Sequence, residues 1–297
     1  MTWTISSLLD WTTIYFANHK IEEPHLEAEI LLAHALHIKR IQIYTMHDRV
    51  LSEEELAAFK QLMLRRIKME PTAYIIGYRP FMSLDFDVNR EVLIPRPETE
   101  KLVEEAINII KGSEKETVSV LDIGTGSGAI AVSIAKYCAN TRVWASDISK
   151  AAIETAKSNA KKHGVDDRIT FFTGDLFSPI DKNAKFDIIV SNPPYIKTLE
   201  IENLQPEITK FEPVRALDGG PDGLAYYRKI TAQAPAYLSE KGHLLLEVGA
   251  GQADDVVKMI QATGIFAKTK KIQDHNGIDR VIESVIASPD LIGATKQ

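Results

Sequence analysis

From residue 118 onward, segments with the pattern of buried β-strands alternate with amphipathic helical segments. This alternation favours a mostly parallel sheet with helices packed on it, because parallel strands need long crossover connections. Residues 273–280 join the last two strands without a helix, which predicts a hairpin and therefore one antiparallel strand at the end of the sheet. The predicted strands are 118–123, 143–147, 169–173, 188–192, 243–248, 267–272 and 281–285. The sequence therefore predicts an α/β fold with a seven-stranded, mostly parallel sheet.

The residues ahead of this region have a different pattern. Apolar side chains in residues 1–72 recur at helical spacing without any strand pattern, so we expect a small helical bundle there. One of its helices is predicted to begin after Ser52, because Ser52 and Glu55 have the spacing of a capping box. Residues 73–96 are predicted to form a β-hairpin linker, residues 97–287 the α/β domain, and residues 288–297 a polar tail.

The composition excludes several classes of protein. Hydrophobic residues make up 44% and charged residues 26%, close to the averages of globular proteins. The 35 basic and 41 acidic residues give a net charge of -6, which disfavours a chain that binds a polyanion over its whole surface. The single cysteine, Cys138, excludes an intrachain disulfide and a cysteine-cluster metal site. No apolar run reaches the ~18 residues of a membrane span and no signal peptide is recognisable, so we expect a cytoplasmic protein.

A glycine turn follows the first predicted strand of the α/β region. Gly124, Gly126 and Gly128 let the backbone approach a ligand closely, and the next helix begins with free N–H groups. Asp147 ends the second strand, where it can accept hydrogen bonds from the hydroxyls of a ribose. The alternating glycines after Asp122 resemble the first motif of class I S-adenosylmethionine (AdoMet) methyltransferases. The G-x-G-x-x-G turn of dinucleotide-binding domains is the alternative.

The segment Asn192-Pro193-Pro194-Tyr195 follows the fourth predicted strand. An amide or aminopurine nitrogen is a poor nucleophile, because its lone pair is delocalised. The side-chain oxygen of Asn192 and the carbonyl of Pro193 can accept both N–H groups of such a nitrogen, and Tyr195 offers a face for stacking. Holding the nitrogen in line with a sulfonium methyl group supplies much of the catalysis. This segment is typical of enzymes that methylate planar nitrogens, either adenine N6 or glutamine N5.

Longer motifs make the resemblance more specific. They are the segments 71–77 (PTAYIIG), 92–100 (VLIPRPETE), 211–213 (FEP), 216–224 (ALDGGPDGL) and 227–228 (YR). With these segments the chain resembles the HemK/PrmC family of peptide chain release factor glutamine methyltransferases over nearly its full length. The resemblance implies a Rossmann-like class I methyltransferase fold, AdoMet as methyl donor, and the Gly-Gly-Gln glutamine of a release factor as substrate. We expect no metal, because the sequence has no recognisable spacing of metal ligands.

The resemblance also implies roles for individual residues. The methionine part of AdoMet would lie against Gly124, Thr125, Gly126, Ser127 and Gly128. The remaining cofactor contacts would come from Asp147 at the ribose, Asp175 and Leu176 at the adenine, Asn192, and a cover formed by Arg96, Pro97 and Thr99. The substrate glutamine would be held by the catalytic segment Asn192, Pro193, Pro194 and Tyr195.

The resemblance further implies that the N-terminal helices help to recognise the release factor. We expect a monomer that binds neither nucleic acid directly nor a membrane. The main alternative is an adenine-N6 DNA or RNA methyltransferase with the same Asn192–Tyr195 segment, which the acidic composition disfavours. An NAD dehydrogenase and a non-catalytic AdoMet-binding protein are weaker alternatives. Glu247 also ends a strand, and we interpret it as a salt-bridged edge residue rather than one that faces the site.

Overall fold

The computed structural model describes residues 2–287, and the predicted tail at 288–297 lies outside them. Within the described residues the chain forms two compact units, one of residues 2–78 with Gln205–Phe211 and one of residues 79–204 with 212–287. The helices are α1 (Ile5–Asn18), α2 (Pro24–Ala35), α3 (Arg40–Thr45), α4 (Glu53–Arg66), α5 (Thr72–Ile76), α6 (Glu100–Lys111), α7 (Ala129–Tyr137), α8 (Lys150–His163), α9 (Pro206–Phe211), α10 (Ala225–Tyr237) and α11 (Ala253–Ala262). The strands are β1 (Tyr78–Phe81), β2 (Leu84–Asp87), β3 (Val118–Ile123), β4 (Thr141–Asp147), β5 (Ile169–Thr173), β6 (Phe186–Ser191), β7 (Leu238–Glu247), β8 (Phe266–Gln273) and β9 (Asp279–Ile286).

The first unit is helical, with α1 to α5 and α9. Its core is made of buried apolar side chains, among them Ile5, Phe16, Leu31, Leu32 and Phe59. The predicted capping box at α4 is confirmed, because the Ser52 side chain accepts from the Glu55 N–H and the Glu55 carboxylate accepts from the Ser52 N–H. Each bond satisfies an N–H that a helix end leaves free.

The two arginines at the end of α4 are paired with carboxylates of the same unit. Arg66 is 5% exposed, and its guanidinium contacts Glu27 at 2.7 Å and Glu207 of α9 at 3.1 Å. Arg65 forms a second ion pair with Glu70. Both arginine charges are therefore compensated within the helical unit.

The structure contains a hairpin within residues 73–96. Strands β1 and β2 form a two-stranded sheet, while residues 72–76 ahead of it form the short helix α5. Pro71 precedes this helix and Gly77 ends it in the left-handed conformation, the usual arrangement of these two residues at helix ends. Phe81 and Phe86 of the hairpin are buried in the core of the second unit.

Within the described residues, the second unit contains one seven-stranded sheet in the order β5-β4-β3-β6-β7-β9-β8. Strands β3 to β7 pair in parallel, and β9 is antiparallel to both β7 and β8. Each predicted strand is present. The antiparallel strand is β9, which lies next to the edge strand β8 and not at the edge itself. Helices α6 and α7 pack on one face of the sheet, while α10 and α11 pack on the other. No helix in residues 2–287 is long and apolar enough to cross a membrane.

This topology determines where a ligand can bind. From β3, the chain proceeds to β4 and β5 on one side and later to β6 and β7 on the other. The loops at the carboxyl ends of β3 and β6 therefore diverge and leave a crevice between them. Crevices at such reversals of strand order are the usual ligand sites of open α/β sheets.

Candidate active site

A cavity of about 320 Å³ lies at the carboxyl ends of β3, β4, β5 and β6. This volume is within the range of small-molecule binding sites. Of the residues predicted to bind cofactor or substrate, the cavity is lined by Gly124, Gly126, Asp147, Asp175, Leu176, Asn192, Pro193 and Pro194. Four separate segments predicted from the sequence thus meet at one site.

The glycine turn after β3 forms one wall of the cavity. Gly124 and Gly126 have φ of 74° and 56°, and a Cβ added to either would meet no atom within 4 Å. Gly128 differs, because a Cβ there would lie 3.0 Å from the Ala156 side chain of α8. Gly124 and Gly126 therefore leave room beside the backbone, whereas Gly128 permits close packing between α7 and α8.

The two residues between these glycines do not line the cavity. Thr125 and Ser127 are buried, and the Thr125 hydroxyl donates to Asp122 at 2.6 Å. Asp122 is fully buried under the turn, and that burial raises its pKa to about 7. The bond between Thr125 and Asp122 joins the turn to the end of β3 and stabilises its shape.

Asp147 at the end of β4 is held by the backbone on both sides. Its Oδ2 accepts from the Gly126 N–H at 2.9 Å, and its Oδ1 accepts from the Ser149 N–H at 2.8 Å. Burial raises the pKa of Asp147, and these backbone donors together with Arg215 act in the opposite direction. Since a carboxylate has about four acceptor positions, each oxygen can still accept a ligand hydroxyl.

Asp175 and Leu176 follow β5 on the far side of Asp147. The Gly174 N–H donates to the Asp147 carbonyl at 2.9 Å, and the Leu176 carbonyl accepts from the Ser146 hydroxyl at 3.2 Å. Leu176 has a φ of 49°, a conformation that is uncommon outside glycine. These bonds hold the turn against β4, with both Asp175 and Leu176 in the cavity lining.

Asn192 occupies the end of β6, beside the glycine turn. The preceding residue is tied to β3, because the Ser191 hydroxyl donates to the Ile123 carbonyl at 2.7 Å. The Asn192 Nδ2 donates to the Thr99 hydroxyl at 3.0 Å. One end of the Asn192 amide is therefore held by protein, and the residue as a whole lines the cavity.

The remainder of the Asn192–Tyr195 segment rests on residues 217–224. The Ile196 N–H donates to Leu217 and the Gly219 N–H donates back to Ile196, at 2.9 and 2.8 Å. A Cβ on Gly223 would lie 2.5 Å from the Tyr195 carbonyl. That carbonyl also accepts from the Gln252 Nε2 at 2.9 Å. The glycine-rich motif at 216–224 therefore acts as a close-packed support for the loop. Tyr195 itself is half-buried against the core and, unlike Asn192, Pro193 and Pro194, does not line the cavity.

Six of the predicted cofactor residues lie outside the cavity lining: Thr125, Ser127 and Gly128 of the glycine turn, and Arg96, Pro97 and Thr99 of the predicted cover. Arg96 forms an ion pair with the buried Glu212 at 2.7 Å. Pro97 begins a 3₁₀ turn, and Thr99 at its end is 4% exposed with its hydroxyl on Asn192. A direct contact of these residues with AdoMet stays a prediction.

Several lining residues were not identified from the sequence. They are Glu91, Val92, Leu93, Ser146, Ile148, Ser149, Ala152, Ser191, Pro213, Val214, Arg215, Ala216 and Tyr226. Ile148 and Ser149 directly follow Asp147 at the end of β4, so their position next to a predicted site residue could have identified them. Segments 91–93 and 213–216 reach the cavity only through tertiary folding, although parts of both belong to the motifs named above.

The interpretation of Glu247 as a salt-bridged edge residue is wrong. Its strand β7 lies between β6 and β9, and Glu247 is 1% exposed with no ion pair within residues 2–287. Burial raises the pKa of Glu247 to about 7, whereas the hydrogen-bonding side chains of Thr99 and Asn192 lower it. Glu247 is therefore a buried neighbour of Asn192.

The fold of the second unit occurs in known methyltransferases. A methyltransferase from Pyrococcus furiosus matches with a TM-score of 0.50 at 18% identity, over 69% of this chain and 90% of its own. The catalytic domain of hMettl16 in complex with a MAT2A 3′UTR hairpin matches with a TM-score of 0.55 at 14% identity, over 82% and 87%. At such low identity these likenesses show the fold alone. Together with the strand order, they define the class as class I methyltransferase-fold proteins.

Sequence comparisons identify the family within this class. Residues 7–77 match the PrmC N-terminal domain model, and residues 107–210 match the methyltransferase small domain model. Release factor glutamine methyltransferases from Geobacter sulfurreducens and Rhodopirellula baltica are 48% and 42% identical, over 94% of this chain and 96% and 95% of their own lengths. The chain belongs to the release factor glutamine methyltransferase family.

Proposed function

We propose that the protein transfers a methyl group from AdoMet to the side-chain N5 of the glutamine in the Gly-Gly-Gln motif of peptide chain release factors. The observation that carries the proposal is the position of Asn192, Pro193 and Pro194 in one cavity with the glycine turn and Asp147. The site thus combines an acceptor clamp for a planar amide with a surface suited to a nucleoside. The name of the relatives supports the same acceptor class.

The cavity suits AdoMet in shape and charge. The open space beside Gly124 and Gly126 would take the methionine part, whereas Thr125, Ser127 and Gly128 support the turn from behind. Asp147 would accept the ribose hydroxyls, and Asp175 with Leu176 would border the adenine. When bound, AdoMet supplies an electrophilic methyl group on a sulfonium.

The protein's own residues orient the acceptor nitrogen. The Asn192 side-chain oxygen and the Pro193 carbonyl would accept the two N–H groups of the substrate amide. These bonds hold the amide plane and raise the electron density on its nitrogen, which makes in-line attack on the methyl group easier. The half-buried Tyr195 would stack on the amide plane. The methylated nitrogen is strongly acidic, so its proton can leave to water without a dedicated base.

The proposal also covers the recognition of the release factor, the oligomeric state and the location of the protein in the cell. The helical unit would recognise the body of the release factor while the cavity takes the Gly-Gly-Gln loop. We further propose a cytoplasmic monomer that uses no metal and does not bind nucleic acid directly. The predicted division into residues 1–72, 73–96 and 97–287 belongs to this proposal as a division between recognition, connection and chemistry.

The experiment uses AdoMet with a labelled methyl group. Purified protein is incubated with release factor and, separately, with duplex DNA and with RNA. We expect label in the release factor alone, with one methyl group per molecule. Label in nucleic acid and none in release factor would contradict the proposal and favour the adenine-N6 alternative. A release factor whose Gly-Gly-Gln glutamine is replaced by glutamate is the control and should stay unlabelled.

A further inference from the structure

The proposed chemistry depends on which way round the Asn192 amide sits. A side-chain amide has an oxygen that accepts and an NH₂ group that donates, and the two ends have nearly the same shape. With the oxygen toward the cavity, Asn192 can accept an N–H of the substrate amide. With the NH₂ group there, two donors would face each other and the substrate would be repelled.

The structure holds the NH₂ end of Asn192 on the protein side. Its Nδ2 donates to the Thr99 hydroxyl at 3.0 Å, and Thr99 is buried outside the cavity lining. A hydroxyl both donates and accepts, however, so Thr99 alone would tolerate the amide in either orientation. A further group must determine the direction.

Glu247 is placed to do so. The parallel pairing of β6 and β7 sets Ser191 opposite Leu246, so Asn192 and Glu247 are the next residues along the two strands. At this position the side chains of Thr99 and Asn192 are close enough to the Glu247 carboxyl for their hydrogen bonding to lower its pKa. An ionised carboxylate only accepts. It therefore requires N–H from Asn192 and O–H from Thr99, which leaves the Thr99 lone pairs for Nδ2.

This carboxyl costs folding free energy where it stands. It is 1% exposed, and its Oε2 has no hydrogen-bond partner within the described residues. The charged and titratable groups around it are Glu98 on the 3₁₀ turn, Arg280 on β9, Tyr195 after β6 and Tyr227 on α10. Of these only Arg280 is positive, and its guanidinium pairs with Asp274. A buried group with so little compensation is not explained by stability.

We propose that Glu247 is a positioning residue whose carboxylate, acting with the Thr99 hydroxyl, fixes the Asn192 amide with its NH₂ group inward and its oxygen toward the substrate. The inference rests on the proposed function for its consequence in catalysis, but the orientation of Asn192 can be measured without any substrate. Glu247 would contact neither substrate nor AdoMet.

The kinetic test replaces Glu247 by glutamine. The Gln side chain has nearly the same shape, but its NH₂ group can donate to the oxygen of a reversed Asn192, so both orientations become satisfied. We expect kcat to fall by roughly tenfold to 100-fold, the scale typical of groups that orient a site residue from behind. The KM for release factor and the Kd for AdoMet should stay within roughly threefold.

The matched control is Glu283→Gln on the neighbouring strand. Glu283 is also a buried carboxylate, but its partners are His243 and Lys270 and it does not line the cavity. This variant should retain the wild-type kcat even if its thermal stability falls. Thr99 supplies a second pair in case Glu247→Gln does not fold: Thr99→Val should lower kcat, whereas Thr99→Ser should retain it because the hydroxyl remains.

The substrate-free arm is an NMR measurement of the Asn192 side-chain NH₂ protons, assigned by their loss in Asn192→Ala. In the wild type we expect NOEs from these protons to the Thr99 side chain, and their weakening in Glu247→Gln. An unchanged kcat in Glu247→Gln, or NOEs that do not change, would overturn the inference. If the wild type shows these NOEs but does not methylate release factor, the proposed function fails and the assigned orientation stands.

Discussion

Two acidic residues, Asp147 and Glu247, end parallel strands of the same sheet and yet have opposite surroundings. Asp147 lines the cavity, and each of its oxygens accepts a backbone N–H. Glu247 lies behind Asn192 and depends on side-chain donors, with one oxygen unsatisfied within residues 2–287. Burial raises the pKa of both. The comparison shows that one strand-end carboxylate is placed to meet a ligand, whereas the other is placed to act on a neighbouring side chain.

The difference follows from strand order. β4 lies beside β3, so its end faces the glycine turn, and the N–H of Gly126 is directed to Asp147. β7 lies between β6 and β9, where the neighbouring strand end supplies the Asn192 side chain instead of backbone donors. Two acidic residues at strand ends therefore have different surroundings, set by which strand is next to each of them.

The largest effect is expected for Asn192→Ala, which removes the group that Glu247 orients. The kcat should fall by roughly 10²- to 10³-fold, as for the loss of one donor or acceptor at a reacting centre. AdoMet affinity, which depends mainly on the Asp147 side of the cavity, should change by no more than several-fold. Single-turnover kinetics and calorimetry would separate the two quantities. An unchanged rate would remove Asn192 from the mechanism.

Gly223→Ala tests whether the close packing of residues 216–224 against the Asn192–Tyr195 segment is needed for activity. Its Cβ would lie 2.5 Å from the Tyr195 carbonyl, so the loop must shift, and a displacement on the order of 1 Å can cost roughly 100-fold in rate. The matched control is Gly277→Ala, which has a similar φ of 76° but no atom within 4 Å of the new Cβ. Both variants carry backbone strain, and only Gly223→Ala should lose turnover. Equal activities would show that the loop position is not critical.

Asp147→Asn tests whether Asp147, the acid that lines the cavity, binds AdoMet. Loss of charge-assisted hydrogen bonds worth about 1.5–3 kcal/mol should weaken AdoMet binding by roughly tenfold to 100-fold. The kcat at saturating AdoMet should change less than the Kd does. Asp187→Asn is the control, since Asp187 contacts Ser119 and Lys115 at the other end of β6 and does not line the cavity. Calorimetric titration of both variants checks the prediction, and equal affinities would contradict the assigned role.

The smallest effect is expected in the pH dependence of stability, and it tests the raised pKa of the buried Glu247 directly. The pKa of Glu247 is raised from 4.5 to about 7, so its contribution to the free energy of unfolding is present below 4.5 and is lost as pH rises through 7. Between about pH 5 and pH 8 the wild type should lose on the order of 3 kcal/mol more than Glu247→Gln. Denaturant titrations across this range measure the difference. Parallel pH profiles would show that Glu247 has an ordinary pKa.

Much of the fold follows from local patterns. The strand at 118–123 has the bounds predicted from sequence, because its nearly continuous run of apolar residues is buried. The helical start at Ser52 follows from its capping box. The helix Thr72–Ile76 was missed because so short an element has little periodicity. Strand order was also beyond the local pattern, since it depends on long-range packing.

The candidate site, like the fold, could be predicted from the sequence only in part. Asp147 and Asn192 are recognisable because each stands at a strand end in a distinctive motif. Glu247 was misinterpreted because the pattern shows that it ends a strand but not that β6 and β9 flank it. Arg215 and Tyr226 line the cavity from the long segment between β6 and β7. The path of such a segment depends on tertiary contacts, which the local sequence pattern does not show.

The most direct test of the central claim is a peptide map of release factor after incubation with AdoMet and the wild-type protein. Fragmentation spectra locate the modified residue within the Gly-Gly-Gln peptide. We predict one added methyl group on the glutamine side chain in the wild-type reaction, and none with Asn192→Ala in the same time. A methyl group on any other residue, or equal modification by Asn192→Ala, would contradict the account.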